Sequence, residues 1–200
     1  DYRIDKIDFG NVQGEVAFGV GISIINKDLL LKLIEEAIDE DITSFGHGVL
    51  ASKINELKIC GYDHTEYVAI MDNTATYFEA SMDLLEKPVR DQLFNRKRPV
   101  LTKVRDGMPT RYGTQSNAKN SLIGDNCIIE GTVKNSIIFR DVKVAKGAVV
   151  ENCILMQDTI TGSNVALNYV VTDKNVTIRE RQELSGCAKL PYYIGKNMVV

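Results

Sequence analysis

The sequence predicts an α/β part followed by a parallel β-helix of hexapeptide repeats, and the stretch from Ile123 to Ile178 carries the second half of that statement. Asn opens a polar-to-aliphatic run at Asn120, Asn135, Asn152 and Asn168, at intervals of 15, 17 and 16 residues. Asp recurs at Asp125, Asp141, Asp158 and Asp173, and Gly at Gly131, Gly147 and Gly162. A shorter beat of about six residues runs inside this period. It shows in Ile123-Gly-Asp-Asn-Cys-Ile and Val144-Ala-Lys-Gly-Ala-Val, with an aliphatic or β-branched first position and a small or β-branched fifth. Such hexads suit a short strand, a tight turn and another short strand, and three sides close a triangular coil.

One coil cannot bury its own apolar face, so about three must stack before the array is stable. An ideal coil of three hexads takes about 18 residues; intervals of 15 to 17 therefore predict shortened corners. A β-sandwich with regularly spaced strands is the competing reading. The recurrence of Asn, Asp and Gly in one fixed order favours the β-helix.

The bulk composition is that of a soluble globular protein, 44% apolar and 26% charged in 200 residues, with no Trp. No apolar run reaches the roughly 18 residues of a membrane span. The opening Asp1-Tyr-Arg-Ile-Asp-Lys is no signal peptide, and the missing initiator Met suggests a piece of something longer. Cys60, Cys127, Cys153 and Cys187 are scattered without a CxxC, which predicts reduced thiols in a cytoplasmic protein and neither a disulfide frame nor a zinc site. His47 and His64 are the only histidines.

Charge is unevenly spread. From Glu86 to Arg111 eight bases meet three acids, a net of +5, while the rest of the chain, with 16 bases and 24 acids, carries −8. A basic joint between acidic flanks suits a small phosphorylated ligand or an acidic neighbour, and the simplest competing reading is a solvated linker. It lacks the aromatic interleaving of a single-strand binder.

The elements before the repeat follow from local pattern. Val16-Ala-Phe-Gly-Val-Gly-Ile-Ser-Ile-Ile predicts a buried strand entered through a tight turn. Asn26 caps a helix whose apolar face is Leu30, Leu33, Ile34, Ala37 and Ile38. Ser44 caps a shorter helix with Val49, Leu50, Ile54 and Leu57. Strands are predicted over Leu57 to Tyr62 and Glu66 to Met71, turning at Asp63-His64-Thr65, so His64 is a turn residue. A third helix starts near Asn73-Thr74, stacks Phe78, Met82 and Leu85, and stops or kinks at Pro88. This set reads as the latter part of an α/β domain. Past Ile178 the period fades, and Tyr192 to Val200 predicts a terminal strand.

This order of parts resembles the C-terminal half of the bacterial glucose-1-phosphate adenylyltransferases (ADP-glucose pyrophosphorylases). Val20-Gly-Ile-Ser-Ile-Ile resembles that family's M-G-I-Y-V-F strand, and Ser44-Phe-Gly-His-Gly-Val-Leu its D-F-G-K-D-L-I segment. Glu66 to Leu84 is similar, without gaps, to G-Y-W-R-D-V-G-T-I-E-A-Y-W-E-A-N-L-D-L, most closely over Tyr77 to Leu84. The resemblance implies a C-terminal part of a nucleotidyltransferase domain over 1–95, a basic linker over 96–119 and a left-handed β-helix domain over 120–200.

The departures carry the functional expectation. In catalytic members the Asp of Y-W-R-D-V-G-T helps bind Mg²⁺, and that position is Ile70 here, preceded by Val68-Ala69. Ile has no oxygen for a hard cation, and Mg²⁺ takes oxygen ligands in octahedral array. Asp72, two residues on, is the alternative ligand if the segment is a strand. The family's Ser near the sugar phosphate is Gly19, and its Lys and Asp of F-G-K-D are His47 and Gly48. Glu86-Lys87-Pro88 spells the sugar-binding E-K-P but lies at a helix end, in the wrong place.

These substitutions, with the linker Thr102-Lys-Val-Arg-Asp-Gly-Met-Pro-Thr-Arg-Tyr-Gly, resemble the family's non-catalytic glycogen biosynthesis branch, GlgD. That resemblance implies a regulatory subunit, in a hetero-tetramer with a catalytic subunit that turns ATP and glucose 1-phosphate into ADP-glucose and pyrophosphate. ATP and Mg²⁺ then belong to the catalytic partner, and no catalytic residue or metal ligand is assigned in this chain. Lys103, Arg105 and Arg111 are the candidate contacts for a phosphorylated effector. Neither nucleic acid nor membrane is an expected partner. An active adenylyltransferase with a rearranged metal site is the alternative. A hexapeptide-repeat acyltransferase is a distant one, because a His base at a coil interface is wanted and Asn120 to Ile178 has none.

Overall fold

The structure, a computed structural model, describes residues 2–4, 7 and 19–200. Two compact units divide the chain, Asp1–Thr65 and Glu66–Val200.

In the first unit, α1 (Lys27–Asp39) is capped as expected: the Asn26 side chain accepts from the backbone N–H groups of Asp28 and Leu29. Its buried stripe is rotated from the one anticipated. Leu33 and Ala37 are buried with Leu29 packed beside them, whereas Ile34 and Ile38 face outward. The reason is the small partner that packs on it, chiefly Val49, Phe45 and Ile42, which covers a narrow stripe. The expected second helix is a single π-helical turn, Phe45–Leu50, in which the Val49 N–H reaches back five residues to the Ser44 carbonyl at 3.2 Å. Ser44 caps it, accepting from His47 N–H.

The predicted pair of strands does not form. Only Cys60–Gly61 is a strand, and it pairs antiparallel with Tyr2–Arg3. The linking Asp63-His64-Thr65 offers no residue in the left-handed region that a tight hairpin turn demands. Of the expected Val16 to Ile25 strand, Val16 to Phe18 lies outside the described residues. The remainder is no strand, with Ile22 and Ile24 exposed and no pairing partner among the described residues.

The second unit is built on a parallel solenoid with three faces. The first face stacks Arg111–Tyr112, Ile128–Ile129, Lys143–Val144, Ile160–Thr161 and Thr177–Ile178. The second stacks Asn117–Lys119, Thr132–Lys134, Val149–Glu151, Ala166–Asn168 and Glu183–Ser185. The third stacks Leu122–Ile123, Ile137–Ile138, Ile154–Leu155, Val170–Thr172 and Tyr192–Ile194. Every pairing between coils is parallel.

The anticipated shortening falls at two places. The corner between second and third faces is tight in the first four coils, and the left-handed residues there are Asn120, Asn135, Asn152 and Tyr169. The coil from Asn120 to Asn135 takes 15 residues, against 17 from Lys134 to Glu151, because Glu130-Gly131 turns the first corner alone. Gly131 has no room for a side chain: a Cβ would lie 2.3 Å from the Ala148 carbonyl oxygen. Of the repeated Asn and Asp, Asn120, Asn135, Asn152, Asp141 and Asp158 are left-handed corner residues, of the types among L-residues that best tolerate positive φ, while Asn168 ends a strand. They also ladder, with Asn120 Nδ2 donating to Asn135 Oδ1 and Asn152 Nδ2 to Asn168 Oδ1, both at 2.9 Å.

Inside the coils Ile129, Val133, Ile138, Val144, Val150, Leu155, Leu167 and Ile178 form one core. The repeat does not stop at Ile178. It runs on through Arg181, a left-handed corner, to Glu183–Ser185, and the outward Arg and Glu side chains disguise the single inward Leu184. Gly186 to Pro191 then lengthens the last coil, so that Asn175 and Asn197 are 22 residues apart yet bonded.

Two helices precede the solenoid in this unit. α2 (Thr74–Asp83) ends well before Pro88, which sits instead in the first turn of α3 (Lys87–Leu93), where a missing N–H costs nothing. Phe78 of α2 is 4% exposed. It packs on the outward residues of the third face, Ile137, Ile154 and Val171, with Tyr77, Met82, Leu84, Leu85 and Tyr169 around them.

Candidate functional site

The position at which catalytic relatives are expected to hold a metal lies on the segment Glu66 to Met71, directly ahead of α2. This segment is not a strand, so the face-sharing argument for Ile70 and Asp72 loses its basis. Ile70 is 46% exposed, and Val68 and Met71 beside it are exposed as well.

Asp72 is occupied elsewhere. Its Oδ1 accepts from the Thr76 hydroxyl at 2.9 Å and from Asn73 Nδ2 at 2.8 Å. Asn73 and Thr76 in turn form a capping box, Asn73 Oδ1 accepting from the Thr76 N–H and Thr76 Oγ1 from the Asn73 N–H. The carboxylate therefore completes a helix N-terminus, which also favours its negative charge.

Behind the segment is a hollow of about 210 Å³ lined by Tyr67, Val68, Ala69, Ile70, Thr76, Glu79, Ala80 and Asp83. Tyr67 Oη donates to Asp83 Oδ2 at 2.8 Å, and the Tyr67 N–H donates to Gln92 Oε1 at 2.7 Å. Burial, and after it the Asp83 carboxylate, push the Tyr67 phenol up to about 12. Arg98 grips both carboxylate oxygens of Glu66, at 2.8 and 2.9 Å. These contacts fix the start of the segment, Glu66 and Tyr67, to α2, to α3 and to the stretch after α3.

The residues present do not fit a Mg²⁺ site at this place. Ile70 brings no oxygen, Asp72 Oδ1 already accepts two bonds at the cap, and among the described residues no three of His, Cys, Asp and Glu come together as a metal would need. Gly48, where the family carries Asp, has a local reason of its own. A Cβ there would lie 2.2 Å from Ile42 Cγ2. His47 and His64 are both exposed, His47 within the π-helical turn.

The basic joint is placed as follows. Lys103 and Arg105 lie on an exposed stretch without regular structure, and Arg111 opens the first strand of the first face. None of the three lines the hollow behind Glu66 to Met71. Among the described residues, a second hollow is lined by Leu122 to Asp125 and Ile137 to Arg140, on the third face. Sequence reasoning missed the Tyr67–Asp83 bond and the seat of Phe78 on the solenoid. Strict 17-residue spacing from Asn152 would have pointed to Tyr169 as the odd corner.

Comparison with known proteins supports this arrangement. A family of GlmU-like C-terminal hexapeptide domains matches residues 108–186. The glycogen biosynthesis protein GlgD of Bacillus subtilis (strain 168) is 37% identical over 168 residues, 84% of this chain and 46% of that protein. Over most of its length the chain is similar to GlgD and to the bacterial glucose-1-phosphate adenylyltransferases. GlgD of Geobacillus stearothermophilus is 54% identical over 71 residues, 36% of this chain and 21% of that protein. The glucose-1-phosphate adenylyltransferase of Desulfitobacterium hafniense is 28% identical over 163 residues, 80% of this chain and 41% of that protein. The chain spans less than half the length of these relatives. As the repeat implied, a short α/β part is followed by a hexapeptide solenoid.

Proposed function

We propose that the protein is a non-catalytic regulatory subunit of a bacterial glucose-1-phosphate adenylyltransferase and acts in glycogen biosynthesis. The observation that carries this reading is Ile70, with Asp72 tied into the α2 cap, at the place where a catalytic member needs a metal-binding carboxylate. Without that oxygen this segment brings no ligand for a metal that would neutralise the phosphates of ATP as they react. The likeness to two GlgD proteins points the same way.

In this reading the solenoid serves assembly, and the partner is a catalytic subunit of the same family in a cytoplasmic hetero-tetramer. The partner binds ATP and Mg²⁺ and makes ADP-glucose and pyrophosphate from glucose 1-phosphate. Lys103, Arg105 and Arg111 contribute cations for a phosphorylated effector that forms its site only in the assembly.

The test is reconstitution. The full-length protein is titrated into a purified catalytic subunit, and oligomer mass and the ADP-glucose rate are followed together. A mixed oligomer whose rate or effector response differs from that of the catalytic subunit alone supports the proposal. Failure to associate, or association with no change in either, sinks it. Changing Lys103, Arg105 and Arg111 together to Ala should abolish the effector response; an unchanged response makes the joint purely structural.

A further inference from the structure

The corner between the second and third faces is left-handed in four successive coils, and three of the four residues there are Asn. Asn120, Asn135 and Asn152 have φ of 46°, 45° and 52°. The fourth is Tyr169, at 53°. A bulky aromatic residue is ill suited to that region, whereas Asn tolerates it. Nothing in the coil's own hydrogen bonding calls for the exchange. The Tyr169 N–H still donates to the Glu151 carbonyl and its carbonyl still accepts from Tyr192 N–H, and Asn168 has taken over the side-chain ladder from Asn152.

What the Tyr169 ring does have is Phe78. The two ring centroids are 5.8 Å apart and tilted by 50°, within the range of favourable aromatic pairs. Phe78 is the one buried side chain of α2 among the described residues and rests on Ile137, Ile154 and Val171, three coils in succession. Thr76, Glu79, Ala80 and Asp83 of the same helix face the segment Tyr67 to Ile70, and Asp83 holds Tyr67. A ten-residue helix is marginal by itself and depends on its docked face. One strained corner therefore supports the helix, and the helix supports the segment.

We propose that Tyr169 and Phe78 are positioning residues: they seat α2 on the fourth coil and thereby hold the segment Glu66 to Met71 in a fixed place on the solenoid. Strain at the corner is retained because the ring is needed outside the coil, not within it. The segment is then tied to the repeat by a specific contact, and a shift in the fourth coil reaches Ile70 through Phe78, Asp83 and Tyr67. This holds whether the protein is regulatory or catalytic, since it concerns where the segment is held and not what it binds.

The experiment compares Tyr169→Asn, Tyr169→Phe and Phe78→Ala in the full chain. Hydrogen–deuterium exchange follows the α2 amides Tyr77 to Leu84 and, as an internal reference, the solenoid amides Phe139 and Ile160. Alkaline titration of Tyr67, assigned by comparison with Tyr67→Phe, reports whether Asp83 still holds it. Tyr169→Asn restores the residue favoured at this corner, so the solenoid amides should keep their protection while α2 exchanges about tenfold faster. The Tyr67 phenol should titrate lower. Tyr169→Phe should match the parent. Phe78→Ala, which leaves the corner untouched, should give the same split. The proposal is overturned if Tyr169→Asn leaves α2 and Tyr67 unmoved, or if the solenoid amides lose protection as much as those of α2.

Discussion

The Asp72 carboxylate accepts a 2.9 Å hydrogen bond from the Thr76 hydroxyl, and that hydroxyl accepts in turn from the backbone N–H groups of Asp72 and Asn73 at 3.1 and 3.2 Å. A carboxylate two residues from the family's metal position is thus the outermost member of a helix cap. Asn73→Ala removes the acceptor for the Ala75 and Thr76 N–H groups. It should destabilise the second unit by about 1 kcal/mol, and Asp72→Ala by somewhat less, in urea denaturation. Equal stability of both variants and the parent would remove the cap from the account.

The solenoid corners make a second prediction. Asn152 has φ of 52° and donates to Asn168. Asn152→Ala should cost about 1 kcal/mol or more, since Cβ strain is added and the ladder bond is lost. Asn152→Gly, which loses only the bond, should cost less. The order of thermal midpoints, parent above Gly above Ala, checks it.

Tyr67 predicts an alkaline instability. Burial first, then Asp83, raise its phenol from its ordinary value near 10 to about 12. Between those values the unfolded chain has released the proton and the folded chain still holds it, so the unfolded state binds fewer protons and stability falls as pH rises. The contribution is complete below pH 10 and disappears as pH passes 12. Unfolding free energies at about pH 9 and about pH 11 should drop more in the parent than in Tyr67→Phe. Equal drops would show that the phenol is not held.

The four cysteines should divide into two classes. Cys153 is fully buried and its thiol is pushed up to about 12 by burial; Cys127 is buried and pushed the same way. Cys60 and Cys187 are exposed. Iodoacetamide on the native protein, read by peptide mass spectrometry, should label Cys60 and Cys187 and spare the other two until denaturant is added. Rapid native labelling of Cys153 would contradict the closed coil.

The solenoid was legible in the sequence because its corners need particular residues. Asn at a left-handed position is a demand of a single site that repeats whenever the backbone repeats, whereas Gly131 beneath a carbonyl oxygen belongs to the one shortened corner. Its last stretch was hidden because Glu183 and Arg181 are outward residues, free to vary, with one Leu to mark the inside. The first unit was less readable. Helix α1 announced its cap and length, yet which stripe it buries depends on the small π-helical turn opposite, a tertiary choice with no local signature. The absent hairpin had the right β-branched residues and the wrong turn. At the candidate site Ile70 was visible as a substitution, while Asp72 in the cap and Tyr67 on Asp83 are contacts that periodicity does not encode.

The central claim is that a protein with Ile70 in this setting does not itself transfer the adenylyl group. The full-length protein should be purified free of any catalytic subunit and supplied with ATP, glucose 1-phosphate and Mg²⁺, with ADP-glucose measured directly. The account predicts no product above the no-enzyme control, with activity appearing only once the catalytic subunit is added. Sustained ADP-glucose formation by the protein alone, at a rate proportional to its concentration, would contradict it.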